Sequence, residues 1–576
     1  MIKSYTYKQL AKNCKQDMPG FPVCRLALLG DCATQHLAAA LKGCAYTRNL
    51  ALEIFDADYN QIFSQVMASD SELYAFKPDV VLIFMCAEKL YATWCGTPPD
   101  KRASFAEITF AAIQGYWGYI AANCGAGILQ FTFAEYDDLT FGSYGCKHTA
   151  SFAYQLKKLN MLLLDGCAVH KNVFPVDLCG IQARVGREKL FDPKLYYIAK
   201  MPISLAALPE VAARTTDVVL ALRGAVKKCV ILDLDNTLWG GVIGDDGLSG
   251  IQIGELGAGQ AFSEFQAWLK ELKQRGILLA VCSKNEDATA REPFEKHSEM
   301  ILRLEDFSIF VANWQDKTAN ILHIQRKLNI GMDSIVFIDD NPFERDVVRA
   351  FIPEITVPDL PDDPAEYLSY LQKLNLFETA SFSVEDASRT DQYRAEAVRE
   401  AMRQQYASYD EYLENLEMTA VAAAFDDFHT PRIAQLTQRS NQFNLRTVRY
   451  TESEIEAAAH DPARITFYFT LKDKLADHGL VSVVIMEKRG SGLFIDTWLM
   501  SCRVLKRGLE EFIINKIIDS ARQQKFETVT GEYIKTAKNA MVADIYGKLG
   551  FARTAENLFI ADVNDFSNNK TFIGEQ

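Results

Sequence analysis

Val230-Ile231-Leu232-Asp233-Leu234-Asp235-Asn236-Thr237-Leu238-Trp239-Gly240-Gly241 lies near the middle of the chain and sets the fold around it. An apolar run delivers two carboxylates, two residues apart, into a turn. Side chains of a buried strand alternate faces, so Asp233 and Asp235 emerge together only where the strand ends and the chain loosens. Parallel strands of α/β sheets place their active groups at that carboxyl edge. Two acids converging there repel unless a cation or a shared proton holds them together. The chemistry this suggests is Mg²⁺-dependent phosphoryl transfer to an aspartate.

Three later segments extend the case. Ile277-Leu278-Leu279-Ala280-Val281-Cys282-Ser283-Lys284-Asn285 is a second apolar strand, ending in a hydroxyl, a cation and an amide. Asn313-Trp314-Gln315-Asp316-Lys317 supplies a lysine at the start of an amphipathic helix. Ser334-Ile335-Val336-Phe337-Ile338-Asp339-Asp340-Asn341 is a third strand ending in paired carboxylates. A single Asp often does no more than cap a strand or a helix start; four such motifs in order are far more specific.

In this order the four segments resemble the haloacid dehalogenase (HAD) superfamily. The resemblance implies Asp233 as nucleophile and Asp235 as general acid/base, its backbone carbonyl also touching Mg²⁺. It implies Thr237, Ser283, Lys284 and Lys317 around the phosphoryl oxygens, and Asp339 with Asp340 completing the metal site. A carboxylate nucleophile splits ester hydrolysis into two easier steps, while Mg²⁺ and lysine neutralise charge on the transferring group.

Length and composition bound the rest. A chain of 576 residues predicts more than one domain. Its hydrophobic fraction of 49% is ample for sizeable cores. A net charge of -14, with no long basic stripe, argues against nucleic-acid binding. There is no signal pattern at the N-terminus and no apolar run long enough to span a bilayer. The 13 cysteines are scattered and form no Cys-x-x-Cys pair, which predicts reduced thiols in a cytoplasmic protein.

The chain divides into three expected units, giving a multidomain α/β protein. Residues 1–204 alternate apolar strands with helices, at Cys24–Gly30, Pro78–Phe84 and Gly127–Thr132, which argues a parallel sheet with crossover helices. Residues 205–225 form a helical bridge, 226–375 the HAD-like unit, 376–418 a charged helical linker and 419–576 a last α+β unit. Between Gly241 and Ile277 one amphipathic helix, around Phe262–Leu269, uses most of the room. The family analogy then implies a capless, open HAD site, suited to a large substrate or to completion by a neighbouring domain.

The first unit offers a second candidate. Leu28-Leu29-Gly30-Asp31-Cys32 ends a strand where SGNH-type hydrolases carry Gly-Asp-Ser, so the unit looks like that fold with cysteine in place of serine. The following helix is expected to stabilise a thiolate at Cys32 and lower its pKa. Phe84-Met85-Cys86-Ala87-Glu88 departs from the Gly-x-Asn-Asp of those hydrolases, and no Asp-x-x-His is evident. A cysteine without a water-activating base suits holding a thioester better than hydrolysing one. His36, one helical turn on, is a possible assistant, and a buried structural role for Cys32 stays open.

In the last unit, Gln438–Thr447 is rich in amides and cations, Asp477-His478-Gly479 leads into a strand, and Trp498–Gly508 runs from a strand into a helix. These segments, with Asn539 and Tyr546-Gly547-Lys548-Leu549-Gly550-Phe551, look like a GNAT acyltransferase fold. That resemblance implies an acyl or pantetheine site at Asn441, Asn444, Arg503, Arg507, Gly508, Asn539 and Tyr546, the tyrosine at the position of a general acid. Glu510 stands where a second small residue is usual, so a carrier's phosphopantetheine arm fits better than free CoA.

Asp233–Gly247, Asn441-Gln442-Phe443-Asn444-Leu445 and Ser501-Cys502-Arg503-Val504 together resemble the FkbH-like family over nearly the whole chain. The family is associated with polyketide-type pathways. Membership implies a bifunctional phosphatase and glyceryl transferase acting on a bisphosphoglycerate and loading an acyl carrier protein. On that basis Cys32 takes the glyceryl group as a thioester and Asp233 removes the remaining phosphate. Two rivals stay open: a stand-alone phosphatase of a sugar or lipid phosphate, and an acyltransferase in surface-glycan or lipid modification. A non-catalytic interaction protein is the weakest alternative, given the intact HAD motifs.

Overall fold

The computed structural model describes residues 5–16, 18–136, 138–382, 399, 402–403, 406, 408–536 and 538–576, the Arg503 side chain excepted. The chain forms two compact units, Lys3–Leu222 and Arg223–Gln576.

The first unit is built on five strands: β1 (Val23–Gly30), β2 (Ala51–Asp56), β3 (Val80–Phe84), β4 (Gly127–Phe131) and β5 (Val173–Val176). They pair in parallel in the order β2-β1-β3-β4-β5. Helices cover both faces, which is why the central strands read as unbroken apolar runs rather than as alternation. On one face Leu37 and Leu41 of the helix Gln35–Tyr46 meet Val211 and Val219 of the helix Leu208–Leu222. The helix expected as a bridge is therefore a packed helix of this unit. On the other face Ile113 and Trp117 pack with Leu156 and Leu163. Burial of each such side chain contributes about 1.5–3 kcal/mol, and the Trp117 indole N–H is satisfied by Gln130 Oε1 at 3.1 Å.

The second unit holds two sheets. In the first, β6 (Cys229–Leu232), β7 (Leu278–Ser283), β8 (Phe307–Ala312) and β9 (Ile335–Ile338) run parallel in the order β8-β7-β6-β9. Phe262, Phe265, Leu269 and Leu272 fall on one stripe of the helix Ala258–Gln274 and bury it against this sheet. The interval before β7 also carries a short helix, Ile243–Gly250, that the sequence did not suggest. It is far too small to be a cap domain.

The remaining strands are β10 (Thr419–Ala423), β11 (Phe443–Asn444), β12 (Arg464–Lys472), β13 (Asp477–Arg489), β14 (Gly492–Met500), β15 (Thr528–Glu532), β16 (Ala552–Arg553), β17 (Leu558–Asp562) and β18 (Gly574–Glu575). Their order is β16-β17-β15-β14-β13-β12-β10-β18. The pairing is antiparallel except for β14–β15 and β10–β18. β14 stays with β15 only from Gly492 to Ile495; further on, Leu499 and Met500 pair with β11 instead. The helix Leu509–Gln523 closes one face through Phe512, Ile513 and Ile517. Residues 383–398 of the expected charged helical linker lie outside the described residues.

Candidate active site

In the β6–β9 sheet the strand order reverses at β6: β7 and β8 lie to one side, β9 to the other. Chains leaving the carboxyl ends there diverge and open a crevice, the usual ligand position of open α/β sheets. Asp233 follows β6, its N–H bonded to the Ile338 carbonyl at 3.0 Å, and Asp339 follows β9. Lys317 stands between them. Its Nζ lies 3.0 Å from Asp233 Oδ2 and 2.6 Å from Asp339 Oδ2. Carboxylate oxygens of Asp233, Asp339 and Asp340 come within 4.8 Å of one another. All three are hard oxygen donors, the set that Mg²⁺ prefers.

The charges are strongly coupled. Burial works against the ammonium of Lys317, but Asp233 and Asp339 outweigh it and hold its pKa above the usual lysine range. Burial pushes Asp339 up to about 7, with Asp233 adding to the rise and Lys317 opposing it. Asp340 is raised by burial and then by Asp233. The lysine reaches this position because Asp316 caps its helix, accepting from the Thr318 N–H at 2.7 Å and setting Lys317 in the first turn.

Asp235 is held by three donors. Its Oδ1 accepts from Trp239 Nε1 and the Ile243 N–H, both at 3.0 Å, and its Oδ2 accepts from Asn285 Nδ2 at 2.9 Å. Burial, with Asp233 nearby, still raises its pKa. The three donors fix the orientation of this carboxyl. The turn that delivers it needs Asn236 in the left-handed region, φ 52°, and Gly241 at φ 92°, whose N–H bonds Asn236 Oδ1 at 2.9 Å.

The other expected phosphate ligands have distinct surroundings. Thr237 is fully buried; its hydroxyl accepts from the Asp340 N–H at 3.1 Å and donates to Asp340 Oδ1 at 3.2 Å. It therefore braces an acid. Ser283 ends β7, buried beside the crevice. Lys284 turns to Glu344 Oε1 at 2.5 Å. Sequence reasoning had not assigned Asn285, Trp239 or Arg345, whose Nη1 donates to the carbonyls of Asp339 (2.9 Å) and Asp340 (2.6 Å). The amide of Asn285, two residues past Ser283, was the one signal available.

In the five-stranded sheet the corresponding reversal lies between β1 and β3. Asp31 and Cys32 follow β1, Cys86 follows β3, and their ligand atoms lie within 4.8 Å of one another. The Cys86 N–H donates to Asp31 Oδ1 at 3.0 Å, and Lys89 Nζ donates to the Asp31 carbonyl at 3.0 Å. Cys32 is only 2% exposed. Burial drives its thiol well above the ordinary cysteine value, and Cys86, Asp31 and Glu88 add to the rise. This corrects the expected lowering, since desolvation among acidic neighbours outweighs a helix N-terminus. His36 is exposed and pairs with the Tyr7 hydroxyl at 2.5 Å.

The expected pantetheine residues have different surroundings. Asn444 and Asn539 are fully buried, and Asn539 Nδ2 donates to the carbonyls of Asn444 and Ile534, each at 2.9 Å. Asn444 Oδ1 accepts from the Thr447 N–H at 2.8 Å. These amides tie loops together, which corrects their assignment to ligand contact. Arg507 is buried against Asp473 at 3.1 Å, beside His478 and Arg399. Gly508, φ 80°, caps the helix Leu509–Gln523. Tyr546 is a core residue, 1% exposed among Trp498, Phe551 and Phe559, and burial pushes its hydroxyl far up. A Cβ on Gly531 would meet its ring at 2.2 Å, so that glycine makes room for it. That burial corrects the general-acid expectation. Arg503's side chain lies outside the described residues, and Asn441 accepts from Arg449 Nη2 at 2.7 Å.

A four-stranded parallel sheet with this carboxylate and lysine crevice defines a phosphatase domain of the HAD type. The N-terminal part of the protein BF1531 from Bacteroides fragilis, whose crystal structure contains a phosphatase domain complexed with Mg, is 47% identical. It covers 66% of this chain and 100% of that chain, with a TM-score of 0.63. The FkbH N-terminal domain family matches residues 25–220. The chain belongs to the FkbH-like family. The ribosomal-protein-S18-alanine N-acetyltransferase from Escherichia coli is 14% identical, covering 26% of this chain and 99% of that chain, TM-score 0.20. The GNAT domain of S. lividans PAT is 10% identical, covering 24% and 89%, TM-score 0.20. No curated protein sequence matches the chain. Among the described residues no helix is long and apolar enough to cross a membrane.

Proposed function

We propose that this protein is a Mg²⁺-dependent phosphatase coupled to acyl transfer, dephosphorylating a bisphosphoglycerate-derived acyl group and loading glyceryl onto an acyl carrier protein thiol. The observation that carries the phosphatase half is Lys317 Nζ bridging Asp233 and Asp339 at 3.0 and 2.6 Å. Asp233 attacks phosphorus, the ester P–O bond breaks, and the leaving oxygen takes a proton from Asp235. Water then attacks the aspartyl phosphate and returns a proton to Asp235, freeing Asp233. Asp233, Asp339, Asp340 and the Asp235 carbonyl hold the metal, which when bound neutralises charge on the phosphoryl group. Lys317 and Ser283 orient the phosphoryl oxygens. Thr237 steadies Asp340, and Lys284 serves at the rim.

The acyl half is supported by family membership. On this reading the chain works as three domains, 1–204, 226–375 and 419–576, with a carrier's phosphopantetheine as acceptor. The test is phosphate release from freshly generated bisphosphoglycerate with Mg²⁺, followed by the mass of a carrier protein added to the mixture. Asp233→Asn lowers phosphate release at least about 10⁴-fold, as loss of a nucleophile does. A rate within tenfold of the parent sinks the assignment. A carrier that gains no glyceryl while phosphate is released reduces the function to a stand-alone phosphatase.

A further inference from the structure

A cavity of about 800 Å³ lies within the second unit, at the edge of the β6–β9 sheet opposite Asp233. Lys228 precedes β6, Leu278 begins β7 and Ser334 precedes β9, so this wall is the sheet's amino edge. Five residues of strand put the cavity about 16 Å from the phosphatase crevice. The facing wall comes from the end of the helix Thr430–Arg439, from Asn441–Phe443 and from Met500–Cys502. Its volume suits a small organic ligand.

The wall has a definite chemistry. Four cations, Lys228, Arg432, Arg439 and Lys538, face two acids, Asp333 and Glu354. Lys538 pairs with Asp333, and Lys228 Nζ donates to the Arg439 carbonyl at 3.0 Å. The surplus of positive charge favours a phosphorylated ligand. Gln442 Oε1 is a buried acceptor without a partner, and its residue lines the cavity. A hydroxyl-bearing group satisfies it. Where β14 leaves β15, β11 takes its place beside Met500, and the chain then sets Ser501-Cys502 along the wall. Cys502 is partly exposed and is fixed by its carbonyl, which accepts from Asn329 Nδ2 at 3.2 Å. Cys32, by contrast, is sealed in the core of its own unit.

We propose that this cavity is the acyl-transfer site and that Cys502 is the thiol that takes a hydroxylated acyl group from an acyl phosphate. The proposal rests on the acyl-transfer half of the reading above. Cys502 Sγ bonds to the acyl carbon as the C–O bond to phosphate breaks. Phosphate leaves with that electron pair, and its departing oxygen takes up the thiol proton, so hydrogen phosphate is released. The cations of the wall meet the charge that develops on the departing phosphate, and Gln442 receives a hydroxyl of the acyl group.

The full-length protein is incubated with freshly generated bisphosphoglycerate, then weighed intact and mapped by peptide mass. The adduct is expected on the Cys502 peptide, absent from Cys502→Ser and retained by Cys32→Ala. Gln442→Leu slows its formation about tenfold, the worth of one lost hydrogen bond. Hydrolysis of p-nitrophenyl phosphate stays within about twofold in Cys502→Ser, and its melting temperature within about 2 °C, under 1 kcal/mol for a domain this size. An adduct on Cys32 that survives Cys502→Ser overturns the assignment and leaves acyl transfer standing. Carrier loading with no adduct on any cysteine overturns it in favour of direct transfer. No adduct and no carrier loading overturns both.

Discussion

The β6–β9 and β1–β5 sheets each reverse their strand order, and each collects ionisable groups at that point, yet only one collection is built around a cation in contact with its carboxylates. Around Asp233 the acids share a buried lysine, 3.0 Å from one and 2.6 Å from another. Around Cys32 the nearby lysine, Lys89, bonds the Asp31 backbone carbonyl, and the thiol and carboxyl are both driven up by burial. At an effective dielectric constant of about 20, two charges 4 Å apart attract by about 4 kcal/mol. Full burial costs a lone charge a comparable amount, several pKa units. A counter-charge in contact offsets part of that cost, as Lys317 opposes the rise of Asp339, without cancelling it.

Among changes that break this contrast, removing that counter-charge has the largest expected effect. Lys317→Met leaves Asp233 and Asp339 facing each other without their cation, and breaking a buried pair from one side costs about 3–5 kcal/mol. Phosphate release should fall about 10²–10³-fold, as for loss of one transition-state donor. Mg²⁺ should recover part of the lost stability, because it binds only the folded arrangement. Thermal unfolding with and without Mg²⁺, beside a phosphate-release assay, checks both. Activity within fivefold of the parent would mean that Lys317 only holds the acids apart.

The sharper contrast is in pH. Asp31 is pushed up to about 6 by burial, against the Cys86 N–H and Lys89. Its folded pKa lies above its unfolded value, so its contribution to stability is fully present below about pH 4 and is lost as pH rises through about 6. Two pKa units correspond to about 3 kcal/mol, an upper figure for this site. Asp31→Asn keeps an oxygen for the Cys86 N–H and removes the charge. Relative to the parent it should gain stability between pH 4 and pH 8, by up to that amount. Denaturant unfolding at the two pH values measures it, and parallel curves for both proteins would show that Asp31 is already paired.

The phosphatase crevice was legible because each of its groups ends an apolar run or starts a helix. Asp233, Ser283, Lys317 and Asp339 are placed by their own segments. The groups that hold Asp235 were not legible: Asn285, the Trp239 indole and the Ile243 N–H come from loops whose approach depends on the packed sheet. The short helix Ile243–Gly250 escaped notice because its three glycines and two aspartates carry no helical stripe. Asn444, Asn539 and Arg507 misled in the opposite way. Polar residues near a strand-to-helix turn suggest ligand contact, but here they satisfy buried loops and a buried aspartate. The cavity was invisible in sequence because its walls are drawn from residues as far apart as Lys228 and Lys538.

The smallest expected effect tests whether the two reversal points act separately. Cys32→Ala removes one buried sulfur atom, 2% exposed, from a core that also holds Leu28, Leu37 and Cys86. A loss of this size costs about 1 kcal/mol when the neighbours relax only in part. It also removes a group whose charged form burial disfavours, with Cys86, Asp31 and Glu88 adding to the effect. Part of that cost is therefore returned only above about pH 8.5, where the unfolded thiol ionises. Phosphate release should change less than about twofold, because Asp233, Asp339 and Lys317 are positioned by the β6–β9 sheet and the helix Lys317–Leu328 of the other unit. A stability loss of several kcal/mol with normal phosphate release would place Cys32 as a packing residue stronger than its volume suggests. Collapse of phosphate release at unchanged stability would break the comparison itself, since a protonated thiol in one sheet would then control chemistry in the other.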